Sequence, residues 1–422
     1  MGGIALKAYT KKKGLTTNDS GKIQRIISLS GLNIKDGKDT LTTQLVRKKA
    51  YEWGMEYKYR IPLGRSFDDY LSKQRVLEDG LNNRRKKITL NDLKTLELDS
   101  NIIDNIKAMW NNKLSESKEL ELSFDGLLIL RVYDQPLTTQ VPFHAGEGWR
   151  VPVGVTRGKN TFKYHDFETI QHLVLGGATR YGKSNFINSM ITSLLQSQPD
   201  NVKLFLIDLK GGVELCDYEN IKQTVSIAYE PEEALLTLQT AYAQMRAIQS
   251  RLRTLGKKNV QEAGIKERYF VIIDEVGELN PAEAVSTAER KLKEECQTLM
   301  SQISRLGAGL GFRQILATQY PTGDVIPRQC KQNSDAKLSF RVQSATASRV
   351  VLDETGAENL PKTKGRAIYL TADGREILQT PLITSEIIQK TLAPYIMKKE
   401  MRLEKATIKQ PPRTDAVVIE EV

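Results

Sequence analysis

Residues 177–184 read GATRYGKS and satisfy the pattern G-x-x-x-x-G-K-[ST] at every required position. Such a loop only works between a buried strand and a helix, so it constrains the fold as well as the chemistry. Glycines let consecutive backbone N–H groups curl around an anion. Lys183 can then reach the β- and γ-phosphates of a nucleotide, and the Ser184 hydroxyl can ligate Mg²⁺. A helix that starts here points its positive dipole end at the same anion. The flanks supply both elements. HLVLGG (172–177) is a short apolar run closed by glycine, as a buried parallel strand is. In SNFINSMITSLLQS (184–197), Phe186, Ile187, Met190, Ile191, Leu194 and Leu195 recur at helical spacing. The predicted ATP-binding residues are Gly177, Ala178, Thr179, Arg180, Tyr181, Gly182, Lys183, Ser184 and Asn185.

Downstream, strand and helix patterns alternate. KLFLID (203–208) reads as a second apolar strand, with LKGGVEL as the loop after it. A helix is expected from Pro231, well suited to a first helical position, to Gly256. YFVIIDE (269–275) is a third buried strand with two acids at its carboxyl end. A long polar helix is expected over 281–305. QILATQ (314–319), AKLSFRV (336–342) and RAIYL (366–370) complete the set. This alternation implies an α/β fold, its parallel sheet covered by helices on both faces. Ligands of such sheets bind at the carboxyl ends of the strands. There Asp274 is the candidate second Mg²⁺ partner, Glu275 the candidate base for the attacking water, and Gln319 a contact for the γ-phosphate or that water.

The amino-terminal part carries no comparable chemistry. Residues 1–45 are polar and Lys-rich and read as a basic, loosely ordered arm with one short helix in 23–32. Residues 46–150 read as a small α/β accessory domain. In it YEWGMEYKYRIPLG (51–64) alternates like a strand, and Ser66 caps a helix. A further helix is expected in 91–114, and Asp125-Gly126 joins two strands of a hairpin. Residues 151–388 hold the core, and 389–422 form a helix and a polar tail.

The chain of 422 residues has a formal net charge of +11, which favours a polyanionic partner. Three scattered cysteines form no C-x-x-C pair and argue against a disulfide framework or zinc site, so a cytoplasmic protein is expected. His144, His165 and His172 have no ligand spacing and read as structural. No apolar run approaches the ~20 residues of a membrane span, so no direct membrane insertion is expected.

SQISRLGAGLGFRQILATQYPTGDVIP (301–327), LSFRVQSATASRVVLDETGAENL (338–360), KGRAIYL (364–370) and LIDLKGGVEL (206–215) together resemble the motor domain of FtsK/SpoIIIE-family DNA translocases. The resemblance runs from Val151 to Thr384. It implies a RecA-like P-loop ATPase core that forms a ring, usually a hexamer, and moves double-stranded DNA with ATP and Mg²⁺. It also implies an arginine supplied by a neighbouring subunit, for which Arg305, Arg341 and Arg349 are candidates. Three positions depart from the family. Ala308 stands where relatives carry arginine, with Arg305 three residues earlier on the expected helix. Tyr320 precedes Pro321 where relatives carry Arg-Pro, and Ala345 replaces a common lysine. Tyr320, Arg328 and Arg349 are the candidate DNA contacts. The reading at this level is a motor for plasmid or mobile-element DNA. The alternatives are a coupling protein that recruits a DNA–relaxase complex, or a nucleotide-gated packaging or structural subunit.

Overall fold

A computed structural model describes residues 18–82, 117–157, 162–319, 323 and 325–397. The helix expected in 91–114, residue Tyr320 and the tail beyond 397 lie outside them. Contacts divide the chain into two units, one of residues 1–137 and 157–161, the other of 138–156 and 162–422.

In the first unit, helix α1 (Ser20–Leu29) is followed by a small hairpin of β1 (Ile34–Asp36) and β2 (Asp39–Leu41). Strands β3 (Gln44–Tyr51), β4 (Gly54–Arg60), β5 (Glu119–Asp125) and β6 (Leu127–Tyr133) form an antiparallel sheet in the order β3-β4-β6-β5. Between β4 and β5 come α2 (Phe67–Ser72) and α3 (Gln74–Asn82). Two sequence expectations change here. The run 51–64 is not one strand, because the chain turns at Glu52-Trp53 between β3 and β4. Nor is 18–45 a loose arm. Ile23 and Ile27 of α1 are buried with Leu77 and Leu81 of α3 against Tyr57, Leu128 and Leu130 of the sheet. The expected cap is present, with the Ser66 N–H donating to Asp69 Oδ2 at 2.7 Å. The Asp125-Gly126 turn is also present, with Gly126 at φ 65°.

The second unit takes in 138–150, which the sequence reading had placed in the accessory domain. Its strands are β7 (Arg150–Thr156), β8 (Phe162–Asp166), β9 (Leu173–Gly176), β10 (Val202–Asp208), β11 (Thr224–Ala228), β12 (Arg268–Asp274), β13 (Phe312–Thr318), β14 (Ala336–Phe340), β15 (Arg366–Thr371) and β16 (Gly374–Gln379). They form one sheet in the order β11-β10-β12-β13-β9-β14-β15-β16-β7-β8. The six strands from β11 to β14 are parallel, and the remaining pairings are antiparallel. Helices α4 (Lys183–Ser197), α5 (Pro231–Thr254), α6 (Thr287–Leu306), α7 (Arg328–Gln332), α8 (Ala345–Leu352) and α9 (Ser385–Leu392) connect or follow them. Helix α6 starts six residues later than the sequence reading, at the Ser286 cap, because Pro281–Glu283 form a separate 3₁₀ turn.

Alternation along the strands builds two cores from one sheet. Val174, Phe205, Ile207, Val271, Ile273 and Leu316 face α5 and α6, and pack with Leu238, Met245, Met300 and Ile303. Their strand neighbours Leu173, Leu175, Leu204, Leu206, Ile272 and Ile315 face α4 and α9, and pack with Phe186, Met190, Ile191 and Ile388. Both faces are therefore dry, which is why these strands read as continuous apolar runs.

The amino ends of the parallel strands are tied by ionic contacts. Glu168, just before β9, accepts from Arg268 Nε at 2.7 Å and Arg313 Nη2 at 3.0 Å. Arg313 is fully buried, and burial pulls its guanidinium down to about 10. Desolvation acts to raise the Glu168 carboxyl, but Arg268 outweighs it and holds the group at about 2.

Two histidines nearby make the fold acid-sensitive. Burial holds His165 at about 3 and His172 at about 4, below the usual 6.5. Both are neutral when folded, so their stabilisation is complete above pH 6.5 and is lost as pH falls towards the folded values. By pH 5 each contributes a loss of about 2 kcal/mol. His172 Nδ1 accepts from the Gln314 N–H at 3.0 Å, a role that glutamine can take. Urea unfolding at pH 7 and pH 5 should show a smaller acid loss in His172→Gln than in the parent. Equal losses would assign the sensitivity elsewhere.

Candidate functional site

The phosphate loop leaves the carboxyl end of β9 between β13 and β14. Gly177 sits at φ 158°, and a Cβ there would stand 2.6 Å from Phe340 Cβ, so the loop can only pass β14 this closely as glycine. Gly182 caps α4 at φ 118°, with Gly365 backbone 3.2 Å from where its Cβ would be. The loop is pinned by Ala178 N–H to the Arg341 carbonyl at 2.9 Å, and by Gly365 N–H to the Tyr181 carbonyl at 2.8 Å. Arg180 is left-handed at φ 71° without being glycine, a conformation that costs energy and is common where a loop is preorganised.

Lys183, the first residue of α4, is buried and pairs with Asp274 Oδ1 at the end of β12. Burial pulls its ammonium down to about 8, while the nearby Glu275 acts to raise it. Asp274 Oδ2 is buried and has no hydrogen-bond partner among the described residues. A bare, buried carboxylate oxygen at this place suits a hard cation, and Ser184 opens the same helix beside Lys183. The residues present therefore fit Mg²⁺ held by Ser184, Asp274 and the nucleotide's own phosphates.

Glu275 follows Asp274 in a left-handed conformation, φ 65°. Its Oε1 accepts from Thr318 Oγ1 at 2.9 Å and its Oε2 from the Gln319 N–H at 3.0 Å. Gln319 Oε1 in turn accepts from Thr179 Oγ1 at 2.9 Å. A single polar chain thus joins the phosphate loop to the acid pair across three neighbouring strands, which parallel register makes possible. Asp274 pairs with Ala317 of β13, and Thr318 with Gly176 of β9.

The loop opens on a cleft of about 500 Å³, lined by Ala178, Thr179, Arg180, Gly182, Lys183, Ser184 and Asn185 together with Gln319; Asp274 and Glu275 lie behind this lining. The rest of its wall was not picked out by sequence reasoning. It consists of Thr139, Gln140 and Val141, Lys210 and Glu214, Lys364 and Gly365, and residues 379–382. Asp208 organises the Lys210–Glu214 part. It is fully buried at the end of β10, beside Asp274, and accepts from the Lys210, Glu214 and Leu215 N–H groups at 3.3, 2.9 and 3.0 Å. An acid ending an apolar strand before a Gly-Gly pair is the one signal that would have found it.

The candidate arginines do not line this cleft, although the Arg341 backbone touches the loop. Arg305 is exposed in the last turn of α6, which leads into the amino end of β13, so it lies at the opposite rim of the sheet from the phosphate loop. Helix α6 ends at Leu306, so Ala308 belongs to a 3₁₀ turn and does not share a helix with Arg305. Arg349 is exposed on α8, and its carbonyl accepts from Lys331 Nζ at 3.0 Å. Arg341 holds the Leu360 carbonyl, and Arg328 is exposed at the start of α7.

Residues 143–309 match the model of the FtsK/SpoIIIE family. The chain is 33% identical over 225 residues to the DNA translocase FtsK of Tropheryma whipplei, covering 50% of this chain and 30% of that protein. It is 34% identical over 209 residues to the DNA translocase FtsK of Chlorobaculum tepidum, covering 46% and 25%. The chain thus spans less than a third of the length of these relatives. Among solved structures, the pCW3 conjugation coupling protein TcpA with ATPγS has a TM-score of 0.59 at 19% identity, covering 89% of this chain and 98% of that one. The cytoplasmic domain of the Thermomonospora curvata Type VII secretion ATPase EccC has a TM-score of 0.51 at 22% identity, covering 62% and 33%. These two likenesses are of fold.

Proposed function

We propose, from the match of residues 143–309 to the FtsK/SpoIIIE family, that the chain is a Mg²⁺-dependent ATPase that moves double-stranded DNA as a ring, hexameric in the simplest case. The observation that carries this reading is the polar chain from Thr179 through Gln319 to Glu275, beside the buried Lys183–Asp274 pair. It gathers every group that phosphoryl transfer to water requires except the external positive charge.

The loop N–H groups and Lys183 bind and orient the triphosphate, and the dipole end of α4 favours its charge. Mg²⁺, when bound, neutralises charge on the phosphate oxygens. Glu275 leaves its bonds to Thr318 and Gln319, orients a water and takes its proton. Gln319, already bonded to the phosphate loop, reports the state of the γ-phosphate to the strand that holds Glu275. The missing positive charge comes from a neighbouring subunit, through Arg305 or Arg349, since Arg305 stands at the far rim of its own sheet. The cargo in this reading is plasmid or other mobile-element DNA.

A second reading has the fold shared with 98% of TcpA in its favour. It is a coupling subunit that recruits a DNA–relaxase complex and uses the same ATP site. Hydrolysis assayed with and without long duplex separates the two. The motor reading expects at least severalfold stimulation by duplex, and loss of nearly all turnover in Lys183→Ala. Unstimulated hydrolysis with tight binding to a relaxase would favour the coupling subunit. Parent-like turnover in Lys183→Ala would sink both.

A further inference from the structure

Helices cover one face of the β3-β4-β6-β5 sheet, and the other face carries a segregated charge pattern. Tyr57 and Tyr59 of β4 point into the core, so Glu56, Lys58 and Arg60 point outward. Opposite them in register stand Lys49, Arg47 and Gln44 of β3. Strand β3 is the sheet edge, and each of its residues except Tyr51 is exposed. Two acids of this face lie towards the other edge and are engaged, Glu119 with Arg157 at 2.7 Å and Glu121 with the Tyr133 hydroxyl at 2.7 Å; the third stands beside Lys49. Glu56 binds Arg131 at 3.2 Å. What remains towards the β3 edge is Arg47, Lys49, Lys58 and Arg60.

We infer that this edge is a second binding surface, for the phosphate backbone of duplex DNA, with its centre at Arg47, Lys49 and Lys58. A recess of about 110 Å³ is lined by those three side chains with Tyr51 and Glu56, which is a place for one phosphate group. Lys49 is held over the Tyr51 ring at 4.8 Å from its centroid, and Tyr51 stacks on Trp53 at 4.9 Å, so the recess has a stiff floor. Arg47 and Lys58 are direct register partners. Like charges opposite each other destabilise a sheet, and a bound anion removes that cost. Alternate residues on a strand stand about 6.7 Å apart, so Arg47 and Lys49 can reach separate phosphates of a backbone. Edge lysines also deter sheet-to-sheet pairing, but that role needs no cations on the inner strand β4, where Lys58 and Arg60 lie. The choice of duplex over an anionic membrane rests on the motor reading above; the cationic recess does not.

The test uses the whole chain without nucleotide and a labelled duplex of about 30 base pairs, followed by anisotropy from about 50 to 300 mM KCl. Arg47→Gln/Lys49→Gln/Lys58→Gln should weaken binding at least tenfold near 100 mM salt and flatten the log–log salt slope by about 2.7. ATP turnover without DNA should be unchanged and the melting point should equal or exceed the parent's. Should the triple variant misfold, Lys49→Gln alone should flatten the slope by about 0.9. Parent-like affinity and slope in a folded variant overturn the inference and leave the motor reading intact. Self-association of the variant with parent-like DNA binding assigns the cations to edge protection and overturns it as well. So does parent binding to phosphatidylserine vesicles in place of duplex. Loss of duplex-stimulated hydrolysis in the parent would instead overturn the motor reading.

Discussion

Glu275→Gln should lower ATP turnover by about 10²- to 10⁴-fold, the usual worth of a positioned general base, and leave ATP affinity within a few fold. The substitution separates shape from proton chemistry. Glutamine fills the same volume and can keep both existing contacts, its carbonyl accepting from the Gln319 N–H while its amide donates to the Thr318 hydroxyl. Lys183, Asp274 and the phosphate loop are untouched, so nucleotide binding survives. What the amide cannot do is take a proton from water. Calorimetric ATP binding alongside a phosphate-release assay reads both quantities on one preparation. Turnover within threefold of the parent would mean that the base is another group. Loss of binding as well would mean that Glu275 holds the site together instead of acting in it.

The second large effect is on stability, at the other end of the same strands. Glu168→Ala should destabilise the second unit by about 3–5 kcal/mol, because it leaves Arg268 and the fully buried Arg313 without their shared carboxylate. Burying a guanidinium is tolerated here only through Glu168 and the Ala308 and Phe312 carbonyls. The cost should shrink in an Arg313→Met background, where the largest uncompensated charge is gone. Turnover per folded molecule should hold, since these residues lie at the amino ends of β12 and β13, away from the cleft. Urea unfolding measures the first effect and active-site titration the second. A loss below about 1 kcal/mol would show the contacts to be no better than an exposed pair.

The residues that the fold gathers around the glycine loop were largely readable in the chain because their chemistry is local. A phosphate loop must carry glycine where the backbone is left-handed or crowded, as at Gly177 and Gly182. Acids that meet it must close apolar strands, as Asp274 does. Asp208 obeys the same rule but was read only as a strand end, since its partners are backbone N–H groups that leave no mark in side-chain identity. The expected helix in 23–32 is present as α1, but its place in a core is not legible for a related reason. Its isoleucines look sparse along 18–45, and only the strands and α3 brought beside them complete a core.

Sequence by itself indicated six of the ten strands of the large sheet, the glycine loop after β9 and the two acids at the end of β12, because periodicity and turn chemistry act over a few residues; it left out β7, β8, β11 and β16. Only the tertiary structure decided which distant segments close the cleft. Residues 140–141 and 379–382 reach it because β16 pairs between β15 and β7, a long-range choice made by packing both faces of one sheet. It also decided that Arg305 sits at the rim away from the phosphate loop. A parallel strand fixes the direction in which its preceding helix must end, and that direction is invisible until the sheet is assembled.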